Sequence, residues 1–166
     1  MPVPENPKEF DLIVIGGGPA GIVGATTAAA FGKSVAVVDS HRELGGAGAN
    51  TGTVPSKTLR ETALALSGMR SRNLYGVDLS LRREATVADF LRHEKSVKTG
   101  LNHFLSQRFE ASHTAVYCGS ASFEDAPIVR VKLLDGGNSQ DLLLRGEHVS
   151  PVLPLLALQV FSTSSP

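Results

Sequence analysis

The sequence predicts an α/β fold: a parallel sheet with crossover helices, extended by a small antiparallel β-meander. Three observations carry this. Asp11-Leu-Ile-Val-Ile15 is a short apolar, β-branched run ending at Gly16, the pattern of a buried strand entering a tight turn. From Pro19 to Phe31 the chain turns Ala-rich, with Pro19 suited to a first helical turn and Gly32 to a helix end. Lys33-Ser-Val-Ala-Val-Val-Asp39 then reads as a second strand closed by an acid. Strand, glycine turn, helix and strand make a βαβ unit with a parallel pair.

The following elements are read in the same way. Pro55 to Met69 has Leu59, Ala63 and Leu66 at helical spacing. Residues 70–85, around Tyr75-Gly76, are charged and loop-like. Thr86-Val-Ala-Asp89 has the form of a capping box. It should open a helix of about 20 residues, with Val87, Phe90, Leu91, Val97, Leu101, Phe104 and Leu105 as its core-facing stripe. Strands are expected at Thr114–Cys118 and Ile128–Leu134, with a turn at Gly119–Phe123 between them. Asp135-Gly136-Gly137 should turn the chain back into a strand over Asp141–Leu144.

Composition excludes several classes. The chain has 166 residues, 42% hydrophobic and 19% charged, with a formal net charge of zero. That is a globular composition, long enough for one domain with a real core. There is no basic field to draw nucleic acid. The polar, Pro-rich start lacks the apolar centre of a secretion signal, and no apolar run is long enough to span a bilayer. A cytoplasmic location is expected. The single cysteine, Cys118, rules out an internal disulfide framework and reads as a small buried apolar residue. The five histidines are scattered without ligand spacing, so no metal is expected.

The chemistry lies in two glycine-rich segments. Gly16-Gly17-Gly18-Pro19-Ala20-Gly21 fits the dinucleotide fingerprint. Gly16 permits the tight turn, Gly18 admits a diphosphate to the backbone, and Gly21 lets the helix pack closely on the sheet. The helix start offers N–H groups and a positive dipole end to the phosphates. Gly-rich turns are common, so the flanking strand and helix give this match its weight. Asp39, 18 residues after Gly21, would accept hydrogen bonds from adenosine ribose hydroxyls and repel a 2′-phosphate. FAD and NAD both satisfy it; the bland alternative is a solvated acid at a strand end. Ser40 and His41 follow it and would line the adenosine site.

The second segment, Gly45 to Lys57, reads Gly-Gly-Ala-Gly-Ala-Asn-Thr-Gly-Thr-Val-Pro-Ser-Lys. Together with the fingerprint, it resembles the pyridine nucleotide–disulfide oxidoreductase family, most closely its soluble, Si-specific NAD(P) transhydrogenase branch. The resemblance runs from about Phe10 to Val149 and is specific in these two segments. It implies a Rossmann-like FAD-binding domain, FAD as cofactor and nicotinamide nucleotides as partners. It also implies hydride transfer from NADPH to NAD through the flavin. By the same resemblance Gly45, Gly46, Ala47, Gly48, Thr51 and Thr53 approach the flavin. Lys57 sits beside its ring, where an ammonium stabilises charge on reduction; without the preceding segment Lys57 would read as a solvated helical lysine. Gly119 and Ala121 match positions near the adenine, although Gly119 alone could be only a turn.

This chain departs from the family in two ways. The redox cysteines of disulfide-reducing members align with Gly48 and Thr53. A thiol relay needs both sulfurs, so disulfide reduction is not expected, and a dihydrolipoamide dehydrogenase-like flavoprotein would lack its redox disulfide. The family's second nucleotide fingerprint and dimerisation domain, which make full-length members homodimeric, are not found. Residues 1–149 are therefore expected to be the N-terminal part of an FAD-binding domain, and 150–166 an aberrant or disordered aliphatic, Ser/Pro-containing tail. Such a truncated domain should leave an apolar sheet edge uncovered. It could also be inactive, as a non-catalytic nucleotide-binding module.

Overall fold

The computed structural model of the chain describes residues 6–71, 86–134 and 141–152. Strand β1 (Lys8–Ile15) leads through the glycine turn into helix α1 (Pro19–Ala30) and strand β2 (Val35–Asp39). The short helix α2 (Gly46–Asn50) and the longer α3 (Thr53–Ser71) and α4 (Val87–Ala111) follow. Three strands close the order: β3 (Ala115–Asp125), β4 (Ile128–Leu133) and β5 (Asp141–Pro151).

Strands β1 and β2 pair in parallel, with Ile13 opposite Ala36 and Ile15 opposite Val38. Their side chains alternate between two cores, as pleated strands require. Val14, Val35 and Val37 face α1, α4 and Leu44, meeting Ile22, Ala25, Leu105 and Phe109. Ile13, Ala36 and Val38 face the other way, onto Val129, Val131 and Leu144. Burial on both faces is why these strands read as unbroken apolar runs.

The expected parallel pairs and the antiparallel meander β3–β4–β5 are both present, and in addition the pairings link all five strands in one closed ring. Strands β3 and β5 are long enough to serve both. The first half of β3 runs parallel to β2 as far as the Asp39–Cys118 pair. The turn expected at Gly119–Phe123 is corrected: from Gly119 onward the strand continues, antiparallel to β4. Strand β5 pairs with β4 through Asp141–Arg145 and with β1 from Leu144 to Pro151. Each strand thus has two neighbours, but β5 from Gly146 to Pro151 pairs with β1 alone and β3 from Ala115 to Cys118 with β2 alone.

Thr86 opens α4 as foreseen. The Asp89 carboxylate accepts from the Thr86 N–H at 2.9 Å and from its hydroxyl at 2.8 Å. The helix is longer than expected and its stripe is only partly covered. Leu105 is buried and Leu101 packs on the core, whereas Val87, Leu91 and Phe104 are exposed. Only the C-terminal turns of α4 lie against the sheet. Ala63 of α3 is likewise exposed, and Cys118 is half-buried rather than enclosed. The loop expected around Tyr75-Gly76, the turn at Asp135-Gly136-Gly137 and most of the tail lie outside the described residues. Strand β5 itself continues to Pro151, and the Val152 N–H donates to the Ile15 carbonyl at 2.8 Å.

Candidate functional site

The site begins where β1 stops. The Gly16 N–H donates to the Val38 carbonyl at 2.8 Å, holding the turn against β2. Gly16 has φ +113, a left-handed value that favours glycine. A Cβ there would stand 2.5 Å from the Val152 carbonyl oxygen. At Gly21 a Cβ would run into the Gly16 carbonyl oxygen, so the helix lies on the turn at backbone contact. Gly18 is the opposite case: a Cβ there would meet nothing within 4 Å. The three glycines assigned to the fingerprint thus have separate physical reasons.

Gly18 caps α1, and no side chain caps the helix. Pro19 at the first position has no N–H to satisfy, and Ile22 already donates to Gly18 at 2.9 Å. The N–H groups of Ala20 and Gly21 remain at the positive end of the helix dipole, beside the open face of Gly18. A diphosphate fits this chemistry: anionic oxygens would meet N–H donors and no side chain.

Asp39 ends β2, and its carboxylate is engaged by the turn. One oxygen accepts from the Gly17 N–H at 2.6 Å and the other from the His41 N–H at 2.8 Å. A carboxylate offers about four lone-pair sites, so each oxygen keeps a further acceptor position. The acid therefore stiffens the turn and still has capacity for a ribose hydroxyl. The Ser40 hydroxyl lies 3.1 Å from His41 Nδ1, and the His41 ring projects outward.

The second glycine segment lies against the first. The Gly45 N–H donates to the Gly17 carbonyl at 2.8 Å. Gly45 and Gly46 have φ +96 and +56, and a Cβ on Gly46 would stand 3.1 Å from the Gly18 Cα. A Cβ on Gly48 would lie 3.4 Å from Pro19 Cγ, an ordinary contact. Gly16, Gly18, Pro19, Gly21, Asp39, Gly45, Gly46 and Gly48 are thus brought together around the start of α1.

The remaining predicted residues spread outward. Ala47 is exposed on α2; Thr51 is the C-terminal cap just after α2 and Thr53 starts α3, both exposed. Lys57 is exposed on α3 and, among the described residues, makes no hydrogen bond or ion pair. Gly119 is buried one residue beyond the Asp39–Cys118 pair, where a Cβ would run into the Lys132 carbonyl oxygen. Ala121 lies farther along β3 and packs on the core inside the ring.

Sequence reasoning did not assign roles to Gly17, Glu43, Asn50, Lys98 or Asn102. Asn50 donates to the carbonyls of Glu43 at 3.1 Å and Leu44 at 3.0 Å. It accepts from Asn102 Nδ2 at 2.9 Å, and Lys98 pairs with Glu43 at 3.3 Å. Asn50 stood within the recognised motif, but the contact with Asn102 crosses 52 residues and carries no local signal. Among the described residues there is no cluster of His, Cys, Asp or Glu fit to hold a metal, and no helix long and apolar enough to cross a membrane.

Comparison with known proteins points the same way. The model of the FAD dependent oxidoreductase family matches residues 11–131. A soluble pyridine nucleotide transhydrogenase of Mycobacterium bovis (strain BCG / Pasteur 1173P2) is 49% identical over 90 residues, covering 54% of this chain and 19% of that protein. The protein of the same name from Mycobacterium tuberculosis (strain ATCC 25177 / H37Ra) gives the same values. A soluble pyridine nucleotide transhydrogenase of Serratia proteamaculans (strain 568) is 33% identical over 141 residues, covering 85% of this chain and 29% of the relative. The chain spans less than a third of the length of these relatives.

Proposed function

Because the chain belongs to the FAD dependent oxidoreductase family, we propose that it forms the Rossmann-like FAD-binding part of a flavoprotein that passes hydride from NADPH to NAD. The names of its relatives, soluble pyridine nucleotide transhydrogenases, support hydride transfer between nicotinamide nucleotides. One observation carries the reading: the uncapped start of α1 opens at Gly18, directly beside Gly46. That is a cradle for a diphosphate between two glycine segments.

The residues divide the work. The N–H groups of Ala20 and Gly21 hold the diphosphate. Asp39 takes the adenosine ribose on its spare lone pairs, with Ser40 and His41 beside it and Gly119 and Ala121 toward the adenine. Gly45, Gly46, Ala47, Gly48, Thr51 and Thr53 line the flavin side. When bound, FAD supplies a ring that takes hydride from one nicotinamide and returns it to another. Lys57 contributes a positive charge beside that ring, which a partner within the protein would otherwise neutralise. Gly48 and Thr53 carry no thiol, so no disulfide relay passes through them. In this reading residues 1–149 form the cofactor-binding portion and 150–166 a tail outside it. This reading places the protein in the cytoplasm, and the resemblance implies homodimers for full-length relatives.

The test is spectroscopic. The purified chain, incubated with FAD and freed of excess, should retain visible flavin absorbance and gain thermal stability. Bleaching on addition of NADPH supports hydride transfer. Retained flavin that stays oxidised makes the chain a nucleotide-binding module instead. A colourless protein with no thermal gain from FAD ends the proposal.

A further inference from the structure

We propose that Asn102, on α4, is a positioning residue for the cofactor loop and acts through Asn50; the inference rests on the FAD reading above. Glu43 and Leu44 present backbone carbonyls, which only accept hydrogen bonds. The Asn50 amide must therefore turn its NH₂ toward them, at 3.1 and 3.0 Å. Its oxygen then needs a donor, and Asn102 Nδ2 supplies one at 2.9 Å. The second hydrogen of that NH₂ is used as well, on the Lys98 carbonyl at 3.2 Å. The orientation of both amides follows from this chain of donors and acceptors.

What the clamp holds is the entry to the left-handed Gly45-Gly46 turn. Asn50 ties the two carbonyls just before that turn to the last residue of α2. Three α4 residues on one face, at spacings of four and three, press on the same segment. Lys98 pairs with Glu43 at 3.3 Å, Asn102 holds Asn50, and Leu105 packs with Leu44. A Cβ on Gly45 would lie 3.2 Å from the Leu105 side chain. On its far side the turn meets Gly17 and Gly18. Displacing the turn would widen or close the gap beside Gly18 in which the diphosphate is read to sit. Asn102 itself lies one helix away from that gap, so its effect runs through Asn50.

The experiment is a double-mutant cycle on the full chain, using Asn50→Ala, Asn102→Ala and the pair. Alanine is the best helix former, so α4 keeps its helicity. FAD affinity is read by flavin fluorescence, and amide exchange by hydrogen–deuterium mass spectrometry. Loss of the half-buried amide contact should raise the FAD dissociation constant about tenfold in Asn102→Ala. The double variant should bind no more weakly than Asn50→Ala alone. Without ligand, the Gly45 N–H should exchange faster in Asn102→Ala, while the Gly16 N–H, bonded to Val38, should not change. Unchanged affinity, multiplying losses, or equal acceleration at both amides would each overturn the inference. If the wild-type chain binds no FAD, the FAD reading fails, and the exchange at Gly45 still decides whether the clamp exists.

Discussion

The Gly16–Gly21 turn and the Gly45–Thr53 segment touch at Gly18, yet they are held in place by different means. The first is braced by its immediate surroundings. Gly16 bonds to β2, Gly17 bonds to the acid at the end of β2, and Gly21 rests on Gly16 itself. These three partners lie within one βαβ unit. The second has no sheet beneath it and is fastened by α4, through Asn102, Lys98 and Leu105. A local motif builds one wall of the site. A distant helix sets the other, and the distance between walls depends on contacts made late in the chain.

The strongest way to break the contrast is at Gly21. In Gly21→Ala the new Cβ meets a backbone oxygen, which cannot swing aside. Helix α1 must lift from β1, and Val14 also crowds the position. The expected loss is about 3 kcal/mol by analogy with overpacked cores, measured by thermal or urea unfolding. A change under about 0.5 kcal/mol, the scale of ordinary surface substitutions, would mean that α1 does not sit on the turn as described.

Gly45→Ala tests the other wall. It combines a left-handed φ of +96 with a Cβ that runs into the Ala49 side chain. Strain and crowding should cost about 2 kcal/mol. Because the obstruction is a methyl group on a five-residue helix, α2 can shift where β1 cannot. The variant should therefore fold more readily than Gly21→Ala while losing FAD. Equal losses of stability in the two variants would remove the distinction between the walls.

The two walls also differ in how far the sequence disclosed them. The βαβ unit was legible because its signals are local: an apolar run, a glycine turn, an Ala-rich stretch and a closing acid. Asp39 was expected to face a ribose, but its service to Gly17 and His41 required the turn to be folded first. Ring closure was not legible. It depends on β5 running beside β1 from the Lys8–Leu144 pair to the Ile15–Pro151 pair, a partnership no periodicity announces. The stripe on α4 identified a face but not how much of it the sheet covers. Asn102 gave no sign at all, since a polar residue on a helix ordinarily meets water.

Gly18→Ala sharpens the comparison from the ligand side. The position has an extended, unstrained backbone at φ −75 and open space where a methyl would go. Stability should change by less than about 0.5 kcal/mol. FAD affinity should fall at least about tenfold, equivalent to about 1.4 kcal/mol, because the methyl occupies the approach to the diphosphate. Calorimetry of unfolding and an FAD titration on the same preparation separate the two effects. A variant that binds FAD normally would remove Gly18 from the site.

The smallest effect lies at the opposite end of the parallel strands, away from both walls. Asp11, midway along β1, ties that strand to Ser34 just before β2, where the β1–β2 pairing begins. Its carboxylate accepts from the Ser34 hydroxyl at 2.6 Å and the Ser34 N–H at 2.7 Å, with Lys33 at 3.3 Å. The Ser34 hydroxyl is the largest cause, followed by its N–H and Lys33, and together they hold the Asp11 pKa down from 3.8 to about 2. A depressed carboxylate stabilises the fold above its unfolded pKa, and that stabilisation is lost as pH falls through the folded value. Asp11→Asn should therefore melt below wild type near neutral pH. The gap should narrow between 3.8 and about 2, the two ends of the shift. The side chain is about a third exposed, so solvent screens the effect, and raising the salt concentration should shrink it further. FAD affinity should not move, because this latch fixes where the strand pairing begins, while the site is built where the strands end. Melting curves of both proteins across that pH range decide the matter; a gap that stays constant down to the lowest pH would show that Ser34 and Lys33 do not favour the charged form of Asp11.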